Sequence, residues 1–180
     1  MIRLFFLLVL LTMSNFSYAE KLPVLERAEN VRVTPSIISG KYPKDAPILL
    51  ITCSDYRFQD EVMDFMEKRG ALDKYDHLII AGSSLGIDNV LYPEFKKAFM
   101  SQLKLLRKMH EIKMVILLDH RDCNMYKHVH AEKHTHDKDS ERSLHRYHMN
   151  NVKQAILSEY PDMVVEMLLM DTDGSVETIK

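Results

Sequence analysis

Ile48-Leu49-Leu50-Ile51-Thr52, followed at once by Cys53-Ser54-Asp55-Tyr56-Arg57, is an unbroken apolar run that empties into a cluster of reactive side chains. A β-favouring run without polar alternation suits a strand covered on both faces, the pattern of parallel sheets. Reading outwards, Gln59 to Arg69 places Val62, Met63 and Met66 at helical spacing, and Gly70 stops it. His77-Leu78-Ile79-Ile80 reads as a second buried strand and Ala81 to Ser84 as a turn. Pro93 opens a longer helix whose predicted face is Phe95, Ala98, Phe99, Leu105, Leu106 and Met109. Met114-Val115-Ile116-Leu117-Leu118 is a third buried strand. A His-rich polar stretch runs from Asp119 to about Asn151, part loop and part helix, and Val152 to Tyr160 ends that helix. Val164 to Met170 and Ser175 to Ile179 are strands around the turn Asp171-Thr172-Asp173-Gly174. Strands alternating with helices predict an α/β fold: a central, mostly parallel β-sheet flanked by helices, closed by a C-terminal hairpin.

Composition sets the outer bounds. A chain of 180 residues, 46% hydrophobic and 28% charged, is long enough for one domain with a real core and too apolar for a disordered chain. A net charge of -2 argues against a general nucleic-acid binder, which needs a basic surplus. The twelve Met read as core filler. Residues 1–19 have the order of a secretory signal: basic Arg3, the apolar block Leu4 to Leu11, then Ser17 and Ala19 at the positions before a cut. The block is too short to span a bilayer, which takes about 20 apolar residues. The expected organisation is a signal peptide over 1–19, an N-terminal arm over 20–46 and a single domain over 47–180. The expected location is the periplasm or outside the cell, with no membrane attachment after cleavage.

Ligands of open parallel sheets bind outside the carboxyl ends of the strands. Strand one exits into Cys53, Asp55 and Arg57, strand two into Ala81, Gly82 and Ser83, and strand three into Asp119, His120, Arg121, Asp122 and Cys123. Cys53, His120 and Cys123 make a Cys2His donor set, which Zn2+ favours and which leaves a fourth position open. Asp55 can accept a hydrogen bond from a metal-bound water or become the fourth ligand, and Arg57 can hold that carboxylate bidentately. A phosphatase-type loop fails on spacing, because Cys53 and Arg57 are too close in sequence. A disulfide between Cys53 and Cys123 is the competing reading in an oxidising compartment.

At these residues the chain resembles the β-class carbonic anhydrases, which carry C-x-D-x-R after the first central strand, an Ala-Gly turn after the second and H-x-x-C after the third. Cys53, Asp55, Arg57, Ala81, Gly82, His120 and Cys123 match in order, and the resemblance runs from about Pro47 to Ile179. It implies zinc on Cys53, His120 and Cys123, with Asp55 and Arg57 catalytic. It implies reversible hydration of CO2 to bicarbonate, and a homodimer or higher oligomer. Asp55 would close the fourth metal position if it left Arg57. Two positions depart from the family: Asn124 stands where it has glycine, and Ser83, on the expected pocket wall with Ala81 and Gly82, stands where it has Asn. Asn is the next-best residue for a left-handed backbone at the first of these. The alternatives are a zinc-binding protein without hydratase activity, for metal storage or partner binding, and a hydrolase of a CO2-like carbon–sulfur molecule.

His128, His130, His134, His136, His145 and His148 follow the metal motif. Three readings compete: a solvated segment, a proton relay suited to the imidazole pKa of about 6.5, and metal capture. On a helix, His130 and His134 would share a face, as would Glu141, His145 and His148.

Overall fold

The computed structural model describes residues 46–130 and 137–180. The expected signal peptide, nearly all of the expected N-terminal arm, His134 and His136 lie outside the described residues.

Among the described residues, five strands form one sheet: β1 (Ile48–Thr52), β2 (Tyr75–Ile79), β3 (Met114–His120), β4 (Val164–Met170) and β5 (Val176–Thr178). Their spatial order is β2-β1-β3-β4-β5. The first four are parallel and β5 returns antiparallel to β4. The helices are α1 (Gln59–Lys68), α2 (Ser84–Asp88), α3 (Pro93–His110), α4 (Asn124–His130) and α5 (Lys138–Glu159). This is the predicted α/β architecture with its closing hairpin.

The alternation of strand side chains explains the two layers. Leu49, Ile51, Val115, Leu117, Met167 and Leu169 pack on one face with Phe99 and Leu103 of α3 and with Met149, Val152 and Ile156 of α5. Leu50, Ile116, Leu118, Leu168 and Met170 point the other way, onto Phe58, Val62 and Met66. Leu49, Leu50 and Ile51 are 0% exposed, so each contributes about 1.5–3 kcal/mol of burial. Local signals start the helices: Pro93 sits in the first turn of α3. Asp137 caps α5 by accepting from the backbone N–H groups of Asp139 and Ser140.

Three details differ from the expectation. The second strand is an edge strand, half-buried, with Ile79 exposed. An apolar run cannot say whether its strand has one neighbour or two. The turn after it continues into α2. The core face of α3 is Phe99 and Leu103 flanked by Phe95 and Leu106, whereas Ala98, Leu105 and Met109 face outwards. A single side of that helix meets the sheet, so the buried stripe is narrower than the apolar composition suggested.

Strand order places the site. From β1 the chain crosses to β2 on one side, while β3 lies on the other, so the order reverses between β1 and β3. Thr52 pairs with Leu118, and β3 runs on past that register to His120, still paired with β4. The crevice at this reversal is where open α/β sheets take ligands. Cys53 and His120 both stand there.

Candidate metal centre

Cys53 leaves the end of β1, His120 closes β3, and Cys123 follows two residues of turn in which Asp122 adopts φ 59°. That left-handed residue reverses the chain and brings Cys123 back beside Cys53. Asn124, expected to supply the left-handed backbone, instead opens α4 and is not among the positive-φ residues. The reversal falls two positions earlier, at an Asp, which tolerates the conformation better than most residues.

The three donor atoms of Cys53, His120 and Cys123 lie within 4.8 Å of one another, and all three residues are buried. The cysteines are free, with their sulfurs 3.8 Å apart, so the disulfide is not formed. Two sulfurs on one tetrahedral zinc at ~2.3 Å stand ~3.8 Å apart. His120 Nδ1 donates to the Arg121 carbonyl at 2.8 Å, which leaves Nε2 as the lone-pair nitrogen. That Nε2 is buried without a hydrogen-bond partner. A buried imidazole nitrogen facing two sulfurs is costly as an orphan and suited to a metal ligand. Phe58 packs its ring 4.2 Å from the imidazole and fixes its plane.

The electrostatics agree. The hydrogen bond from the Cys123 thiol, helped by His120 and the Gly82 N–H, outweighs burial and lowers Cys53 to about 4. Cys123 is pushed strongly up by its contact with Cys53 and by burial. One thiolate is stable alone; a second needs a cation between them. Gly82 donates its N–H to Cys53 Sγ at 3.2 Å. It adopts φ +78°, and a Cβ there would stand 2.7 Å from Met125 Cγ. Only glycine fits this close approach.

Asp55 and Arg57 form a fork. Arg57 Nε and Nη2 donate to the two Asp55 oxygens at 3.0 and 2.8 Å, and the Arg57 backbone N–H adds a third bond. Arg57 Nη1 and Nη2 also donate to the Asp122 carboxylate and carbonyl at 2.8 and 3.0 Å, tying the loop after β1 to the loop after β3. Lys127 pairs with Asp122 as well. Arg57 holds Asp55 down to about 2, so it is a carboxylate throughout the working range. Asp55 Oδ2 faces the site, 3.9 Å from His120 Nε2. A cleft of about 540 Å3 opens here, lined by the two cysteines, Asp55, Arg57, Ala81, Gly82, Met125 and His128, among others. Ser83 is buried and not among the lining residues.

Behind the site stands a network the sequence reading missed. Asp119, 1% exposed, accepts from Ser84 N–H and Oγ, Tyr126 Oη and His145 Nδ1 at 3.2, 2.8, 2.6 and 2.9 Å. Burial alone would raise the Asp119 carboxyl, but His145, Tyr126 and Ser84 overturn that and hold it below its ordinary range. Arg121 donates to Glu141 and Glu177, and Glu141 also accepts the Asp122 backbone N–H at 2.6 Å. The signal was available: an Asp and an Arg flanking a ligand at a buried strand end need partners. Those partners come from α2, α4, α5 and β5, which no spacing rule connects. The set Glu141, His145 and His148 does not converge on one point, because each is engaged elsewhere, His148 on Asp88. Nor is the stretch simply solvated: His145 and His148 are buried, whereas His128 is exposed.

Comparison with known proteins agrees with this geometry. Residues 44–180 match the family described as "Putative carbonic anhydrase". An uncharacterized protein of Rickettsia bellii is 34% identical over 149 residues, covering 83% of this chain and 91% of that protein. One from Rickettsia conorii is 31% identical over 162 residues, 90% of this chain and 87% of that one. Among solved structures, a carbonic anhydrase from Streptococcus mutans aligns with TM-score 0.52 at 17% identity, over 77% of this chain and 83% of its own. β-Carbonic anhydrase isoform I of Trichomonas vaginalis aligns with TM-score 0.50 at 16% identity, over 78% and 85%. The structural likeness gives the fold, that of the β-class carbonic anhydrases, and the family match gives descent: this chain is a divergent member of the "Putative carbonic anhydrase" family.

Proposed function

We propose that the chain is a zinc-dependent carbonic anhydrase that hydrates CO2 reversibly to bicarbonate and a proton. The observation that carries this reading is the donor set itself: two sulfurs 3.8 Å apart facing a buried imidazole nitrogen without a partner. Cys53, His120 and Cys123 would hold the ion. When bound, zinc supplies a Lewis acid that makes water nucleophilic near neutral pH.

The chain's own residues do the rest. Asp55 accepts a hydrogen bond from a donor at the mouth of the ligand set and so aims that donor's lone pair into the cleft. Arg57 spends its donors on Asp55 and Asp122, which keeps Asp55 off the metal position. A break in that pair would let Asp55 close the site. Ala81, Gly82 and Met125 offer CO2 an apolar wall. His128, exposed on the cleft rim, takes the released proton to buffer, a task suited to imidazole.

The half-buried β2, with Ile79 exposed at the sheet edge, supports a homodimer or higher oligomer. The opening residues support export to the periplasm or beyond. Stopped-flow CO2 hydration with parallel metal analysis tests the function. Stoichiometric zinc with a rate above buffer is expected, lowered at least tenfold in Arg57→Ala. Zinc without any rate would leave a metal-binding protein on this scaffold and refute the enzyme reading.

A further inference from the structure

The peptide group that joins Arg121 to Asp122, between the ligands His120 and Cys123, is held at both ends. Its carbonyl accepts the His120 Nδ1–H at 2.8 Å. Its N–H donates to Glu141 Oε1 at 2.6 Å. Glu141 stands in the first turn of α5 and is 5% exposed. Its second oxygen, Oε2, accepts from Arg121 Nη1 at 3.1 Å, and Arg121 is 7% exposed. One buried carboxylate therefore grips both residues that separate the two ligands. A carboxylate on the far nitrogen of a ligand histidine orients the ring and raises its basicity. Here a peptide unit is interposed. The carboxylate pulls on the N–H, the carbonyl gains electron density, and it becomes a stronger acceptor for His120 Nδ1–H. The same bond fixes the turn. Asp122 sits at φ 59°, a conformation disfavoured for a residue with a Cβ, and that bend returns Cys123 to Cys53. The remaining contacts of Arg121, to the Lys138 carbonyl at 2.9 Å and to Glu177 at 2.7 Å, hold the guanidinium without touching the peptide.

We propose that Glu141 is a positioning residue of the metal centre, acting through the Arg121–Asp122 peptide on both His120 and Cys123. Glu141 does not line the cleft, so it acts on the donors and not on a substrate. Without it all three donors are still present, but His120 Nε2 is less basic and Cys123 is less firmly placed beside Cys53. Loss of such an outer partner typically lowers metal affinity by about 10–100-fold. The inference rests on the metal reading of Cys53, His120 and Cys123 and does not depend on CO2 hydration.

The test is the Zn2+ affinity of the full chain, read by competition with a chromophoric chelator, with the visible absorption of the Co2+-loaded chain as a second readout. Glu141→Gln keeps the side chain's size and an oxygen for the Asp122 N–H but removes the charge. It should weaken Zn2+ about tenfold and move the Co2+ bands, and Glu141→Ala should weaken Zn2+ by up to about a hundredfold. Glu177→Gln, which removes a different partner of Arg121, should leave Zn2+ affinity nearly unchanged. A role in stability alone would lower the Tm of the metal-free variants and leave the Zn2+ affinity and Co2+ bands of the folded chain in place, which overturns the proposal. Equal losses in Glu141→Gln and Glu177→Gln also overturn it, because the effect would then run through the Arg121 ion pairs and not through the peptide. A further measurement needs no variant. By linkage, zinc must strengthen the Asp122–Glu141 bond as much as that bond strengthens zinc. In the unaltered chain the Asp122 amide should therefore exchange with solvent about tenfold more slowly when zinc is bound, beyond any slowing at the Asp139 and Ser140 amides that Asp137 caps. Equal exchange with and without zinc overturns the proposal even where a variant does not fold. A chain that takes up no zinc overturns the metal reading together with this one, whereas zinc held at unchanged affinity by Glu141→Gln overturns this one alone.

Discussion

Replacing Tyr126 by Phe asks whether the buried network around Asp119 holds the metal loop in place. Tyr126 is 1% exposed, and its hydroxyl donates to Asp119 at 2.6 Å. A hydrogen bond to a charged group contributes about 1.5–3 kcal/mol. Two features place the loss near the lower end. The ring stays packed on His145, with centroids 3.8 Å apart, so little cavity opens. Asp119 also keeps its bonds from Ser84 and His145, so no orphaned charge remains. The expected cost is about 1.5–2 kcal/mol, or ~4–6 °C in Tm for a domain of this size. Urea unfolding at fixed free zinc is the assay, because bound metal then adds a comparable linkage term to both proteins. The midpoint should fall by about 1 M with the slope unchanged. Asp119→Asn completes a double-mutant cycle. If the hydroxyl acts through the carboxylate, Tyr126→Phe costs at least ~1 kcal/mol less in the Asn background. An equal cost in both backgrounds, or a single-mutant cost below about 0.5 kcal/mol, would refute the network argument.

Further outcomes follow from other contacts. Cys123→Ser should abolish stoichiometric zinc binding while the far-UV circular dichroism of the fold persists; full zinc retention would rule out the ligand set. Glu177 is held below its ordinary range by Arg142 and Arg121 against the opposing effect of burial. Its contribution is therefore complete above pH 4.5 and lost as pH falls through its lowered folded value. Glu177→Gln should flatten that acid limb by less than about 1 kcal/mol, since the group is 40% exposed, and acid titration of the unfolding midpoint checks it. Gly86→Ala should prevent folding or cost well over 3 kcal/mol, as the new Cβ would stand 2.3 Å from the Ala81 carbonyl oxygen; soluble yield and thermal melting report on it. Ser83 adopts φ 47° and ψ −113°, strained for any residue with a Cβ, so Ser83→Gly should raise stability by up to about 1 kcal/mol in the same melts.

Much of the site could be read along the chain because each part is local. Cys53, Asp55 and Arg57 fall within one loop, and His120 and Cys123 within another, each directly after an apolar strand. Buried parallel strands exit on one edge, so those loops meet whatever lies between them. The fork of Arg57 on Asp55 follows from their spacing, but its second grip, on Asp122, crosses from one loop to the other and has no signature in either. The same holds for Asp119, whose donors come from three helices.

The order of the strands and long helices along the chain, the two-faced core and the candidate metal donors were already dictated by residue pattern, because strand alternation, helix capping and ligand chemistry act over a few residues. Which strand lies at the sheet edge, where the chain turns left-handed, and that His130 meets His148 were decided only when helices and strands packed. Those outcomes depend on contacts between residues far apart in sequence, whose distance and orientation no short-range preference encodes.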